Sequence, residues 1–115
     1  MESADPILGP DQVPDWYDLG LRLVSISHYG TSSYSHGTGT EGGLSEQGPT
    51  LLREMEKAGV ILDLTHLADQ AFWEAMDNYT GPVLASHNNC RVLVSGDRQF
   101  TDDQLRAIIE RGGVI

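Results

Sequence analysis

Val60-Ile61-Leu62-Asp63-Leu64-Thr65-His66 is an apolar, β-branched run that ends in a hydroxyl residue and then a histidine. The same ending closes Leu23-Val24-Ser25-Ile26-Ser27-His28 and Pro82-Val83-Leu84-Ala85-Ser86-His87. Segments with helical periodicity separate the three runs. Short apolar runs alternating with helices mark parallel strands joined by crossover helices. In parallel α/β folds, ligand-binding and catalytic groups collect beyond the C-terminal ends of the strands. One strand-end histidine by itself reads as a structural residue making a hydrogen bond. Three on successive strands predict a metal or catalytic centre.

The intervening segments carry their own start and stop signals. Pro10 suits the first position of a short helix over 10–19, with Pro14 near its first turn, Trp16 and Leu19 as an apolar face, and Gly20 as its cap. A second helix is predicted over 45–58, with Ser45 as N-cap, Leu51, Leu52, Met55 and Ala58 at helical spacing, and Gly59 as terminator. A third covers 69–79, with Phe72, Trp73 and Met76 on one side, and is broken by Thr80-Gly81-Pro82. Thr101 and Gln104 have the spacing of a capping box that opens a helix through Arg111, with Leu105, Ile108 and Ile109 as its apolar side. Strands are expected over 21–27, 60–65 and 83–86, and Val114-Ile115 begins a fourth. The Gly, Ser and Thr content of residues 29–43 forbids a regular element. Leaving directly from the lip that bears His28, this stretch reads as an ordered active-site loop.

Right-handed crossovers place all these strands side by side in one sheet. Three strands and the start of a fourth would leave open edges. The expected fold class is therefore α/β, as part of a (β/α)8 TIM barrel with three to four parallel strands and crossover helices. Such barrels run to ~250 residues. Residues 1–115 are thus expected to be a central section of one, with its first and last strands outside the chain.

Composition narrows the function. A net charge of −10 disfavours binding to nucleic acid or to anionic membrane surfaces. Cys90 is the only cysteine, which excludes an intrachain disulfide and a multi-cysteine zinc site. No run approaches the ~18 apolar residues of a membrane span, and the first residues lack the basic and apolar regions of a signal peptide. Localisation stays open, with the cytoplasm as the default expectation.

Neutral imidazole binds zinc well. His66 and His87 end neighbouring strands and can reach a common ion, and His28 ends the strand before them. His36, in the loop, reads as solvated or loop-ordering. Asp63, flanked by apolar residues, reads first as a buried structural hydrogen-bonding group, with a role behind a metal ligand as the alternative. Arg98, taken alone, reads as an ion-pair partner of Asp97, Asp102 or Asp103.

These residues resemble a known family. Asp63-Leu64-Thr65-His66-Leu67-Ala68-Asp69 with Phe72-Trp73, followed by Pro82-Val83-Leu84-Ala85-Ser86-His87-Asn88-Asn89-Cys90-Arg91, look like the two histidine motifs of the membrane (renal-type) dipeptidases, the M19 metallopeptidases. The stretch from Gly43-Leu44-Ser45 to Gly59 resembles the helix before the first motif. Arg98 with Thr101-Asp102-Asp103-Gln104-Leu105-Arg106-Ala107-Ile108 resembles the family's arginine and following helix. Met1-Glu2-Ser3-Ala4-Asp5-Pro6-Ile7 resembles the segment with the metal-bridging glutamate, although the family usually has Gly where this chain has Ser3.

The resemblance implies a zinc-dependent dipeptidase with two metal ions bridged by one carboxylate, which would be Glu2. His66 and His87 would complete one metal site. His28 matches the histidine that contacts the scissile carbonyl, and Arg98 the arginine that holds the substrate's terminal carboxylate. Bound zinc lowers the pKa of water toward ~7, His28 would stabilise the developing oxyanion, and the planar fork of Arg98 suits a carboxylate. The family's His-x-Asp motif and late aspartate have no counterpart in the chain. The isolated polypeptide is therefore expected to bind zinc weakly and to hydrolyse dipeptides poorly or not at all, with the remainder of a barrel needed for the full site. A dipeptide substrate and a homodimer are the partners the resemblance admits. Two rival readings are another amidohydrolase-type reaction, such as N-acyl amino acid deacetylation or lactam opening, and a non-catalytic α/β module whose histidines merely end strands.

Overall fold

The structure, a computed structural model, describes residues 1–115. Its centre is a parallel sheet of β1 (Leu23–Ser25), β2 (Ile61–Asp63) and β3 (Val83–Leu84), in that order. Chain order and spatial order coincide, as expected for successive β–α–β crossovers. The helices are α1 (Val13–Asp18), preceded by a 3-10 turn at Pro10–Gln12, then α2 (Gly48–Ala58), α3 (Asp69–Asn78) and α4 (Asp102–Glu110). No helix is long and apolar enough to cross a membrane.

Parallel pairing sets the register. Ser25 pairs with Asp63, and Asp63 pairs with Leu84. Each of the three strand-end histidines lies three residues beyond a member of that row. Neighbouring strands run about 4.8 Å apart, so the shared register stacks His28, His66 and His87 side by side. The sheet extends beyond the expected strands on one edge, where Glu2 bridges in parallel to Ser25. On the other edge Val114 bridges in parallel to Leu84, as its sequence suggested. The regular strands are shorter than the apolar runs, although Leu64 and Ala85 still donate across to Leu84 and Val114, both at 2.8 Å.

The core is the apolar filling between sheet and helices. Leu51, Leu52 and Met55 of α2, and Phe72, Ala75 and Met76 of α3, pack on Val24, Leu62 and Val83. Two boundary expectations and two helix-face expectations are corrected. Helix α2 starts at Gly48 with Gln47 as N-cap, while Ser45 donates its hydroxyl to the carbonyl of Ser33 and so ties the preceding loop. The stretch 10–19 divides into a 3-10 turn and α1. Trp73 does not share the buried side of Phe72 and Met76, since one residue turns the helix by about 100° and leaves the indole 43% exposed. For the same reason Ile108 is buried while Ile109 is 64% exposed. The capping box of α4 is present, with Thr101 Oγ1 accepting from Gln104 N–H and the Gln104 side chain accepting from Thr101 N–H.

The 29–43 loop is ordered and folds back over the lip. The N–H of Thr38 donates to the carbonyl of His28, that of Gly37 to Gly30, and that of Ala68 to His36. Gly37 is required here, because a Cβ would collide with the backbone carbonyls of His28 and Gly30. His36 has the loop-ordering role, its Nδ1 lying 3.0 Å from the carbonyl oxygen of Gly43.

Candidate metal centre

Glu2, His66 and His87 converge on one point at the lip. Glu2 Oε1 lies 3.0 Å from His66 Nε2 and 3.1 Å from His87 Nε2, and the two nitrogens are 3.3 Å apart. His28 joins from the side, its Nε2 3.7 Å from Glu2 Oε1 and its ring centroid 4.3 Å from that of His66. Three ligand atoms of the kinds zinc prefers, all within 4.8 Å of one another, suit a divalent cation. A carboxylate oxygen facing two imidazole nitrogens is a donor set with the charge and softness for such an ion.

Each member is placed by its local structure. Glu2 stands on the edge bridge to Ser25. The Met1 ammonium donates to the carbonyl of Leu23 at 2.8 Å, and Ser25 N–H donates to the Met1 carbonyl at 3.0 Å, so the terminus is bound rather than frayed. Ser3 follows with φ of +64°, in the left-handed region. Glycine reaches that region freely, which accounts for the family's usual glycine there. Ser3 is held by hydrogen bonds with Asp5.

His66 is 3% exposed and has φ of +75°, uncommon for a residue with a side chain. Such strain persists only where neighbours overdetermine the conformation. Here Thr38 does so, donating its hydroxyl to the His66 carbonyl at 3.3 Å while its Oγ1 lies 3.1 Å from Nδ1. With its own proton committed, Thr38 accepts from Nδ1–H, leaving the Nε2 lone pair facing Glu2. Burial, then the positive charges of Arg98 and His28, push the His66 pKa down to about 4, with Glu2 opposing. The ring is therefore neutral at pH 7, the form in which an imidazole is able to bind a metal.

His87 is half-exposed, with Ser86 Oγ 2.7 Å from its Nδ1. Ser86 donates to Asp63 Oδ2. Asp63 also accepts N–H bonds from Thr65 at 3.0 Å and Ser86 at 3.2 Å. Asp63 is thus the buried structural acceptor expected first, and through Ser86 it also stands behind His87.

Arg98 forms no ion pair with Asp97, Asp102 or Asp103. Asp97 accepts from Gly39 N–H at 2.7 Å, and Asp103 pairs with Arg106. Arg98 Nη2 donates to the carbonyl of His87 at 2.6 Å, while Nη1 is buried without a partner. The guanidinium charge therefore stands against the His87 backbone, with Nη1 closed to solvent. The segment bearing Arg98 is pinned by Arg91, which makes two bonds of 2.8 and 2.7 Å to Asp69 and a third of 2.8 Å to the Gln99 carbonyl. Sequence reasoning passed over Thr38, Ser86 and Asp97. For Ser86 the signal was present in the repeated hydroxyl-histidine ending. For Thr38 and Asp97 it was not, because their partners lie 28 and 58 residues away.

A parallel α/β sheet with a His-His-carboxylate trio at its C-terminal lip belongs, as a class, with barrel-type metal-dependent hydrolases. The sequence profile of the membrane dipeptidases (peptidase family M19) matches residues 1–115, and the chain belongs to that family. It is 30% identical over its whole length to an uncharacterized dipeptidase of Schizosaccharomyces pombe and 33% identical over 87% of its length to the dipeptidase tcpJ of Claviceps purpurea. It spans 29% and 24% of those two relatives. Among solved structures, a metallopeptidase from Rhodobacter sphaeroides, liganded with a phosphinate mimic of the dipeptide L-Ala-D-Ala, superposes on 90% of the chain with a TM-score of 0.84 and 30% identity. A probable dipeptidase, PvdM, from Pseudomonas aeruginosa superposes on 99% with a TM-score of 0.92 and 25% identity. The chain covers 32% of each of those structures.

Proposed function

We propose that the chain forms the metal-binding section of a zinc-dependent dipeptidase. The observation that carries this reading is the meeting of Glu2, His66 and His87 within hydrogen-bonding distance of one another at the lip of a parallel sheet. His66, His87 and Glu2 are the residues that would hold the metal, the histidines through Nε2 and Glu2 through its carboxylate. When bound, zinc supplies a water with pKa lowered toward ~7 and a Lewis acid for the scissile carbonyl.

The protein's own groups do the rest. His28, at the edge of the trio, donates to the oxygen on which charge develops. Arg98, whose Nη2 donates to the His87 carbonyl, supplies the positive charge that holds the free C-terminal carboxylate of a dipeptide. Reading that carboxylate close to the metal restricts the substrate to very short peptides. The dipeptidase names of its relatives, and the L-Ala-D-Ala mimic bound to the Rhodobacter metallopeptidase, support this substrate class.

The test is equilibrium dialysis against zinc, measured on the chain and on H66A/H87A. The expected result is weak zinc binding by the first and none by the second, with only slow hydrolysis of L-Ala-D-Ala by the zinc-loaded chain. Equal zinc in both proteins refutes the reading. An N-acyl amino acid hydrolysed in preference to the dipeptide redirects it to another amide substrate.

A further inference from the structure

Asp63 sits at the end of β2, 5% exposed, and uses its two oxygens differently. Oδ1 accepts the main-chain N–H groups of Thr65 and Ser86, at 3.0 and 3.2 Å. Oδ2 accepts the hydroxyl of Ser86. A carboxylate has no proton to give, so Ser86 must be the donor. With its single proton spent, Ser86 Oγ can only accept from His87 Nδ1, 2.7 Å away. Thr65 Oγ1 does not compete, being 3.5 Å from Ser86 Oγ with its own proton directed to Asn88 Oδ1 at 3.0 Å.

We propose that Asp63 is a positioning residue that dictates, through the Ser86 hydroxyl, which ring nitrogen of His87 carries the proton. The proton is held on Nδ1, where Ser86 Oγ is the nearer acceptor at 2.7 Å against 3.1 Å from Nε2 to Glu2 Oε1, and the Nε2 lone pair is left facing Glu2 and His66. The consequence for metal binding rests on the reading of His87 Nε2 as a ligand, whereas the tautomer itself does not.

The geometry makes the carboxylate irreplaceable by its nearest isostere. In D63N, the two main-chain N–H groups still require an acceptor at the Oδ1 position. The amide nitrogen must then take the Oδ2 position and donate to Ser86 Oγ. Ser86 turns its proton toward His87 Nδ1, and His87 moves its own proton to Nε2. Every hydrogen bond survives with its direction reversed, and a proton now occupies the ligand position.

The test uses the full 115-residue chain, stripped of metal by chelation and labelled with 15N at histidine. Long-range 1H–15N correlation at pH ~8.5, about two units above the ordinary imidazole value, reads each ring's tautomer. The expected result is Nδ1–H for His87 in the wild type and Nε2–H in D63N, with His66 unchanged. S86A should also lose the Nδ1–H form of His87 and S86T should restore it. That pair carries the test if D63N does not fold. Nε2–H at His87 in the wild type, or Nδ1–H retained in folded D63N or in S86A, overturns the proposal. Zinc affinity of folded D63N is expected to fall about 10- to 100-fold, the usual effect of losing a partner behind a ligand. If the tautomer switches and zinc affinity does not change, the relay stands and the assignment of His87 as a ligand fails.

Discussion

The Nε2 atoms of His66 and His87 stand 3.3 Å apart. Two imidazoles come this close because β2 and β3 pair in parallel with Asp63 opposite Leu84, and each histidine follows its member of that pair by three residues. The register brings the two motifs together, and local hydrogen bonds then orient each ring. The Glu2 carboxylate, 3.0 and 3.1 Å from the two nitrogens, supplies negative charge where a cation would sit.

Thr38 is the link between the loop and the metal centre, and is 4% exposed. T38V keeps the shape and removes the hydroxyl that accepts from His66 Nδ1 and donates to its carbonyl. Zinc affinity should fall about 10- to 100-fold by titration calorimetry, and chemical denaturation should show a loss of about 1–3 kcal/mol from the stranded polar groups.

Ser3 bears the opposite kind of cost. Its left-handed backbone, φ +64°, is one glycine adopts without penalty. S3G should stabilise the chain by at most about 0.5 kcal/mol, the relief being offset by glycine's greater freedom when unfolded and by loss of the Ser3–Asp5 hydrogen bonds. A thermal melt that moves downward would contradict this.

Arg91 hydrogen-bonds Asp69 and so holds its carboxyl below the usual range, with Gln104 adding a further bond. A folded-state pKa lower than the unfolded one stabilises the protein above the unfolded value, and that stabilisation is lost as pH falls through the folded value. Melting temperatures of the wild type and D69N should differ at pH 6 and converge as pH falls below about 4. A gap that stays constant with pH would show that the pair contributes nothing through ionisation.

Arg98 has one guanidinium nitrogen committed to the His87 carbonyl and another buried and free. R98K keeps the charge and loses the planar fork. Binding of the phosphinate mimic of L-Ala-D-Ala to the zinc-loaded chain should weaken by about tenfold or more, while zinc affinity changes little. Equal binding by R98K would remove Arg98 from substrate recognition.

Much of this site was legible in the chain. Apolar runs with a repeated hydroxyl-histidine ending specify parallel strands and place His28, His66 and His87 at one lip, because side-chain position along a strand follows from register. The capping box at Thr101 was equally local. Other features depended on contacts distant in sequence. Glu2 pairing with Ser25, Thr38 reaching His66, and Asp97 holding Gly39 all join segments with no shared periodicity. The start of α2 was misplaced because Ser45, an apt N-cap by type, is drawn away by the Ser33 carbonyl. Arg98 was ambiguous because three aspartates lie near it in sequence, and only the folded chain shows them engaged elsewhere or left aside.

The most direct test of the metal centre is anomalous X-ray scattering from zinc-soaked crystals of the chain, recorded above and below the zinc edge. The account predicts a peak ~2.0–2.2 Å from His66 Nε2, His87 Nε2 and a Glu2 carboxylate oxygen. Zinc bound elsewhere, with these three side chains unligated at full occupancy of the ion, would contradict it.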